Sequence, residues 1–317
     1  MNIPVFDLHC DTALGMVGRE FQAGPGLRSN KLHIDLERAG KLAGWCQCFA
    51  CFTTPHMQKW YRKSPVEIFE REMDAVLANL AANADVIRQA FSAADVSKNL
   101  EEGFMSAILT LEGAAGLDYD PALLEDLHKI GFRITSLGWN EDNPLTGSHV
   151  TGGGLTDRGR EYVREAQRVG MAVDVSHISD KGFWDIIDMT QAPVIATHSN
   201  SRAVHPSSRN LTDEMFMEIV RTGGVAGLNL YTDFIAENAD LDKCCDHIFH
   251  FMELDPSGKH IALGGDLDGC ETLPKGFEGV QDYPKLSARL LERGLDEKTL
   301  RDIFWNNALG VLEKCSM

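Results

Sequence analysis

Five residues of metal-ligand type each finish a short apolar run: His9 and Asp11 in FDLHCD, Glu112 in ILTLEG, His177 in AVDVSH and His198 in VIATHS. GGDLDG adds a further strand end, with Asp266 and Asp268 following IAL. Taken singly, each has a plain structural explanation. HxD is a capped strand end, Glu112 a helix cap, a buried histidine a satisfied core residue and GGDLDG a turn. Their coincidence argues for more, because several strands that all end in ligand types can aim them at one point. His9 and Asp11, two apart on a strand, share a face, while Cys10 points the other way. Imidazoles and carboxylates with no required thiolate suit one or two Zn²⁺ ions and a bound water of lowered pKa. Asp266 then reads as a further ligand or a proton-transfer group.

The elements that must position these residues are legible as alternation. Strand-like runs lie near 4–9, 43–52, 105–111, 133–138, 171–176, 193–197, 224–230 and 260–265, and helix-like stretches such as 65–92, 121–130, 157–169, 180–189 and 212–222 lie between them. Short apolar strands alternating with amphipathic helices predict an α/β fold, and eight of them predict closure into a (β/α)8 TIM barrel occupying residues 1–317 as a single domain. Ser64-Pro65-Val66-Glu67 reads as a capping box with proline at the first helical position, and Asp296 as the N-cap of a final helix that closes the barrel base. The polar, Gly-rich stretch 140–154 is the longest loop and follows the fourth strand, on the face where barrels carry their sites.

Composition sets the surroundings. The chain has 317 residues, 44% of them hydrophobic, enough to bury a barrel-sized core. Lys plus Arg number 30 against 47 Asp plus Glu; the formal charge of -17 disfavours a nucleic-acid partner, and we find no basic patch to offset it. The N-terminus has no basic, apolar leader and no segment is long enough to span a bilayer, so a cytoplasmic, membrane-free protein is expected, with its eight cysteines as free thiols. Cys46, Cys48 and Cys51 resemble a metal motif, but strand alternation sends the first two to one face and the third to the other, so packing is expected instead. Cys244 and Cys245, adjacent on a helix, receive the same reading.

The stretches DLHCD, LEG, GLTDRGREYVREAQRVGMAVDVSH, APVIATHSNSRAVHPSSRNLTDE, LGGDLDG and the terminal NNALGVLE together resemble the renal or membrane dipeptidases, zinc-dependent hydrolases on a (β/α)8 barrel. The resemblance implies two Zn²⁺ per chain: His9 and Asp11 on the first, His177 and His198 on the second, Glu112 bridging both. It implies that a bridging hydroxide attacks the peptide carbonyl, that Asp266 delivers a proton to the leaving amine, and that Arg209 holds the C-terminal carboxylate of a free dipeptide. Arginine suits that role through its bidentate fork. L,L and L,D dipeptides, β-lactam opening as a side activity and a homodimer also follow from the resemblance. One departure stands out. Where mammalian members carry a histidine after the fourth strand, this chain has Trp139-Asn140, which we expect to serve as pocket wall and polar contact respectively. His149, in the adjoining loop, is assigned no role. The rival readings are another barrel metallohydrolase acting on N-acyl amino acids or lactones, and a metal-binding protein without activity.

Overall fold

The computed structural model describes residues 3–17, 24 and 26–315. Nine parallel strands form one sheet: β1 (Val5–Cys10), β2 (Trp45–Phe52), β3 (Ile87–Gln89), β4 (Met105–Glu112), β5 (Phe132–Ser136), β6 (Ala172–Asp174), β7 (Val194–Ile195), β8 (Ala226–Leu228) and β9 (Ile261–Leu263). Their order is β7-β6-β5-β4-β2-β1-β9-β8, with β3 attached to β4. A parallel bridge between Ala196 and Ala226 joins the two ends of that series, so eight strands close into the expected (β/α)8 barrel. The closure is tight. A Cβ at Gly264 would stand 1.6 Å from the Thr197 carbonyl oxygen, and one at Gly227 2.0 Å from it, so only glycine lets these backbones meet beside His198.

The barrel base is apolar. Phe6, Leu8, Cys46, Cys48, Ile108, Ile134, Ala172 and Ile195 point inward and are plugged by Trp305, Ala308, Val311 and Leu312 of the C-terminal segment. Each such fully buried aliphatic side chain contributes roughly 1.5–3 kcal/mol. Asp296 caps this segment as expected, its carboxylate accepting from the Lys298 and Thr299 amides, both at 3.0 Å. A π-turn over Asp302–Asn306 then redirects the chain into the plugging helix Asn307–Cys315. Cys51 packs outward with Cys10 against the surrounding helices, so the alternation argued for the cysteine run holds, and all eight cysteines are buried free thiols.

Two local differences matter. The periodicity of 65–92 covers two elements: the helix Pro65–Ala82, opened by the full capping box at Ser64 and Glu67, and then β3, which adds to the lower part of β4. In β1, Asp7 pairs with Gln47 but Cys10 with Phe49, an irregularity that inserts a residue between them. Phe6 and Leu8 therefore face the barrel base while His9 and Asp11, of opposite parity, face the site above it. A bulge re-aims side chains in this way.

Candidate metal centre

At the upper end of the barrel the predicted ligands converge. Glu112, the last residue of β4, splits its carboxylate: Oε2 lies 3.2 Å from His9 Nε2, and Oε1 lies 3.0 Å from His177 Nε2 and 3.7 Å from His198 Nε2. His9 Nε2 is also 3.7 Å from both Asp11 Oδ1 and Asp266 Oδ1. The His9 and His198 rings stack at 3.8 Å. His9, Glu112 and His198 form one group with ligand atoms within 4.8 Å of one another, and His9, Asp11 and Asp266 form another. His177 and Asp266 both take left-handed backbone conformations, φ 68° and 55°, which places polar strand ends into the cavity at a conformational cost.

The donor set fits divalent cations. His9 Nε2, Asp11 Oδ1 and Glu112 Oε2 are buried and have no hydrogen-bond partner among the described residues. Such orphaned atoms are expensive unless something binds them. The electrostatics agree. Burial alone would push His9 down, yet Glu112, Asp11 and Asp266 raise it to about 10, so the imidazole acts as a stand-in cation. Burial, reinforced by Glu112, drives Asp11 well above the usual carboxylate range. Burial also raises Asp266 to about 6, with His9 and Arg209 opposing and Glu112 reinforcing the shift. Burial and Arg209 press His177 down to about 3, leaving it a neutral imidazole suited to ligation.

The outer hydrogen bonds set the tautomers. Thr197 Oγ1 donates its one proton to Asp174 Oδ2 at 2.5 Å, so it must accept from His198 Nδ1–H at 2.7 Å. That frees His198 Nε2 as a lone pair. For His177 the corresponding partner is Asn140 Oδ1, 2.7 Å from Nδ1, and the same oxygen lies 2.9 Å from His149 Nε2. Only the carboxamide oxygen in that place leaves His177 Nε2 unprotonated. Asn140 thus sits behind His177, with its oxygen engaged by two imidazoles. His149, given no role from sequence, belongs to the same network; no local motif marks it, since it reaches the site only through the fold of its loop. Trp139 lies where a wall residue belongs, its ring 5.2 Å from Phe52 and 6.0 Å from His177.

Arg209 is 4% exposed and lies beside His198. Nη1 donates to Ser199 Oγ at 3.1 Å and Nη2 to the His198 carbonyl at 3.2 Å, while Nε has no partner among the described residues. The guanidinium is thus engaged by neutral oxygens and keeps unused capacity for an anion. Asp266 Oδ2 accepts from Asn229 Nδ2 at 3.1 Å, which fixes its orientation.

Comparison with known proteins agrees with this geometry. The profile of the membrane dipeptidase family, peptidase family M19, matches residues 1–317. An uncharacterized dipeptidase of Schizosaccharomyces pombe is 36% identical over 70% of this chain, an alignment that spans 57% of that relative's length. An uncharacterized Klebsiella pneumoniae protein encoded in the pqqA 5' region is 32% identical over 78% of this chain and 96% of its own. A metallopeptidase of Rhodobacter sphaeroides, solved with a phosphinate mimic of the dipeptide L-Ala-D-Ala, superimposes with a TM-score of 0.87 at 28% identity, covering 99% of this chain and 100% of that one. Among the described residues no helix is long and apolar enough to cross a membrane. On the barrel, the converging ligands and the full-length profile match, the chain belongs to the membrane dipeptidase family, peptidase family M19.

Proposed function

We propose that this protein hydrolyses the peptide bond of free dipeptides with two zinc ions. His9 and Asp11 would hold one and His177 and His198 the other, with Glu112 between them. Bound there, the metals would supply Lewis-acid polarisation of the carbonyl and a water of lowered pKa. The observation that carries the reading is Arg209, a buried guanidinium with an unpartnered N–H, anchored to the backbone of the ligand His198. It suits the carboxylate of a short substrate and ties that terminus to the metal centre at a fixed spacing, which favours dipeptides over longer chains. Asp266, held by Asn229 and raised to about 6, can take up and release a proton near neutral pH and is the group we assign to protonating the leaving amine. Trp139 and Phe52 wall the cavity and exclude water. The ligand of the Rhodobacter sphaeroides relative supports including L,D substrates. A homodimer and a reducing, cytoplasmic setting, in keeping with eight free thiols, complete the proposal.

The test is hydrolysis of a panel of L,L and L,D dipeptides, with N-acetylated controls, by metal-free protein before and after Zn²⁺ is added. Zinc-restored cleavage of the free dipeptides is expected, with Arg209→Ala raising KM for them about 10-fold or more. Cleavage confined to acylated amino acids or lactones, or an unchanged KM in Arg209→Ala, would overturn the assignment.

A further inference from the structure

The loop 140–154 packs directly on a metal ligand. The His149 amide donates to the His177 carbonyl at 2.9 Å, and Ser148 forms an antiparallel bridge with Ile178. The His149 ring then spans two walls of the site: Nε2 is 2.9 Å from Asn140 Oδ1, and Nδ1 is 2.9 Å from Ser208 Oγ. With the Asn140 carboxamide oxygen in that place, one proton arrangement satisfies the contacts of His149. Asn140 Oδ1, with two lone pairs, accepts from His177 Nδ1–H and from His149 Nε2–H, so His149 Nδ1 is bare and accepts from the Ser208 hydroxyl. Ser208 directly precedes Arg209 in the chain, and its carbonyl is held by Arg202 Nη2 at 3.2 Å, itself paired with Asp180 at 2.7 and 2.8 Å.

We infer that His149 is a positioning residue that ties the imidazole of His177 to the Ser208–Arg209 segment, so that the metal site and the carboxylate clamp are held as one rigid unit. It acts through Asn140 on one side and Ser208 on the other. The inference rests on the metal-site reading above and extends it to a residue that touches neither metal nor reacting bond. Partners that fix the outer nitrogen of a ligand imidazole typically govern metal affinity by about 10–100-fold.

The test titrates metal-free protein with Co²⁺ against a competing chelator, read by visible absorption, for His149→Ala, His149→Gln, Asn140→Ala, the Asn140→Ala/His149→Ala double variant and Ser208→Ala. His149→Ala and Asn140→Ala should each weaken one of the two Co²⁺ sites about 10-fold and spare the other. The double variant should be no weaker than Asn140→Ala alone, because the two act in series. Gln, whose amide N–H can donate to Asn140, should retain most of the affinity. Ser208→Ala should keep both Co²⁺ affinities while raising KM for a free dipeptide. Parent-like Co²⁺ binding by His149→Ala, equal weakening of both sites, additive effects in the double variant, or a parent-like KM in Ser208→Ala would each overturn the inference. A parent protein that binds two Co²⁺ but cleaves no dipeptide would instead sink the proposed substrate and leave the metal arm of the test standing.

Discussion

At the scale of single residues, the site separates two carboxylates by what surrounds them. Glu112 is buried, which alone would raise it, but the protonated imidazole of His9 beside it holds it well below the usual carboxylate range, so it remains charged and can bridge cations. Asp266 is buried too, yet faces Glu112 across the cavity and rises to about 6, so it exchanges a proton near neutral pH. A charged carboxylate beside a group poised to give up a proton is the division of labour that amide hydrolysis needs. Asp266→Asn tests it cleanly, because an asparagine can still accept from Asn229 Nδ2 through its carbonyl oxygen. The variant should bind dipeptide with a KM close to the parent's while kcat falls roughly 10²–10⁴-fold. A kcat within a few fold of the parent's would assign proton delivery to another group.

At the scale of elements, the sequence carried the alternation of strands and helices, the capping box at Ser64, the N-cap at Asp296 and the gathering of ligand-type residues at strand ends, because these rest on local periodicity and residue type. It did not carry what depends on neighbours. The inserted residue in β1 follows from pairing with β2, β3 hides behind an Ala-rich helix whose chain turns at Asn83, and the places of Asn140 and His149 are set by how their loop folds over β6. Two substitutions probe the packing of elements. Gly264→Ala would drive a Cβ into the Thr197 carbonyl at the seam of the barrel and should unfold the protein or abolish metal binding, whereas Gly310→Ala, with nothing within 4 Å on the plugging helix, should be neutral or stabilise by about 0.5–1 kcal/mol. Circular dichroism melts of the two variants distinguish these outcomes. Glu72 is the second probe. It lies on the buried face of the helix Pro65–Ala82, and neither carboxyl oxygen has a hydrogen-bond partner among the described residues. Burial, with Asp11 adding to it, raises its pKa well above normal; the nearby Phe52 amide eases this without reaching hydrogen-bond geometry. A carboxyl whose folded pKa is raised costs nothing below its unfolded pKa and destabilises increasingly as pH climbs from there toward the folded value. Glu72→Gln in the metal-free protein should therefore match the parent near pH 4 and melt progressively higher than it toward pH 8; a constant difference across that range would mean that Glu72 is ionised in the fold.

At the scale of the whole molecule, the base and the mouth of the barrel are held by different physics. The base is closed by apolar side chains of the C-terminal segment and needs no ligand. The mouth gathers Asp11, Glu112 and Asp266 from around the barrel, in a chain of net charge -17, and faces them with imidazoles from β1 and from the ends of β6 and β7. Cations bound there would neutralise buried carboxylates and tie together strands that are not neighbours in the sheet. Because the unfolded chain offers no such assembled site, metal binding becomes folding free energy, about 2.7 kcal/mol when free metal is 100-fold above Kd. For a chain of this size roughly 2 °C of Tm accompanies each kcal/mol, so saturating Zn²⁺ should raise the Tm of the metal-free protein by about 5 °C or more, and the rise should grow with the logarithm of free Zn²⁺. Calorimetry across a buffered Zn²⁺ series measures it. A Tm independent of Zn²⁺ would mean that the mouth, like the base, is self-sufficient, and that the three carboxylates are neutralised by protons rather than by metal.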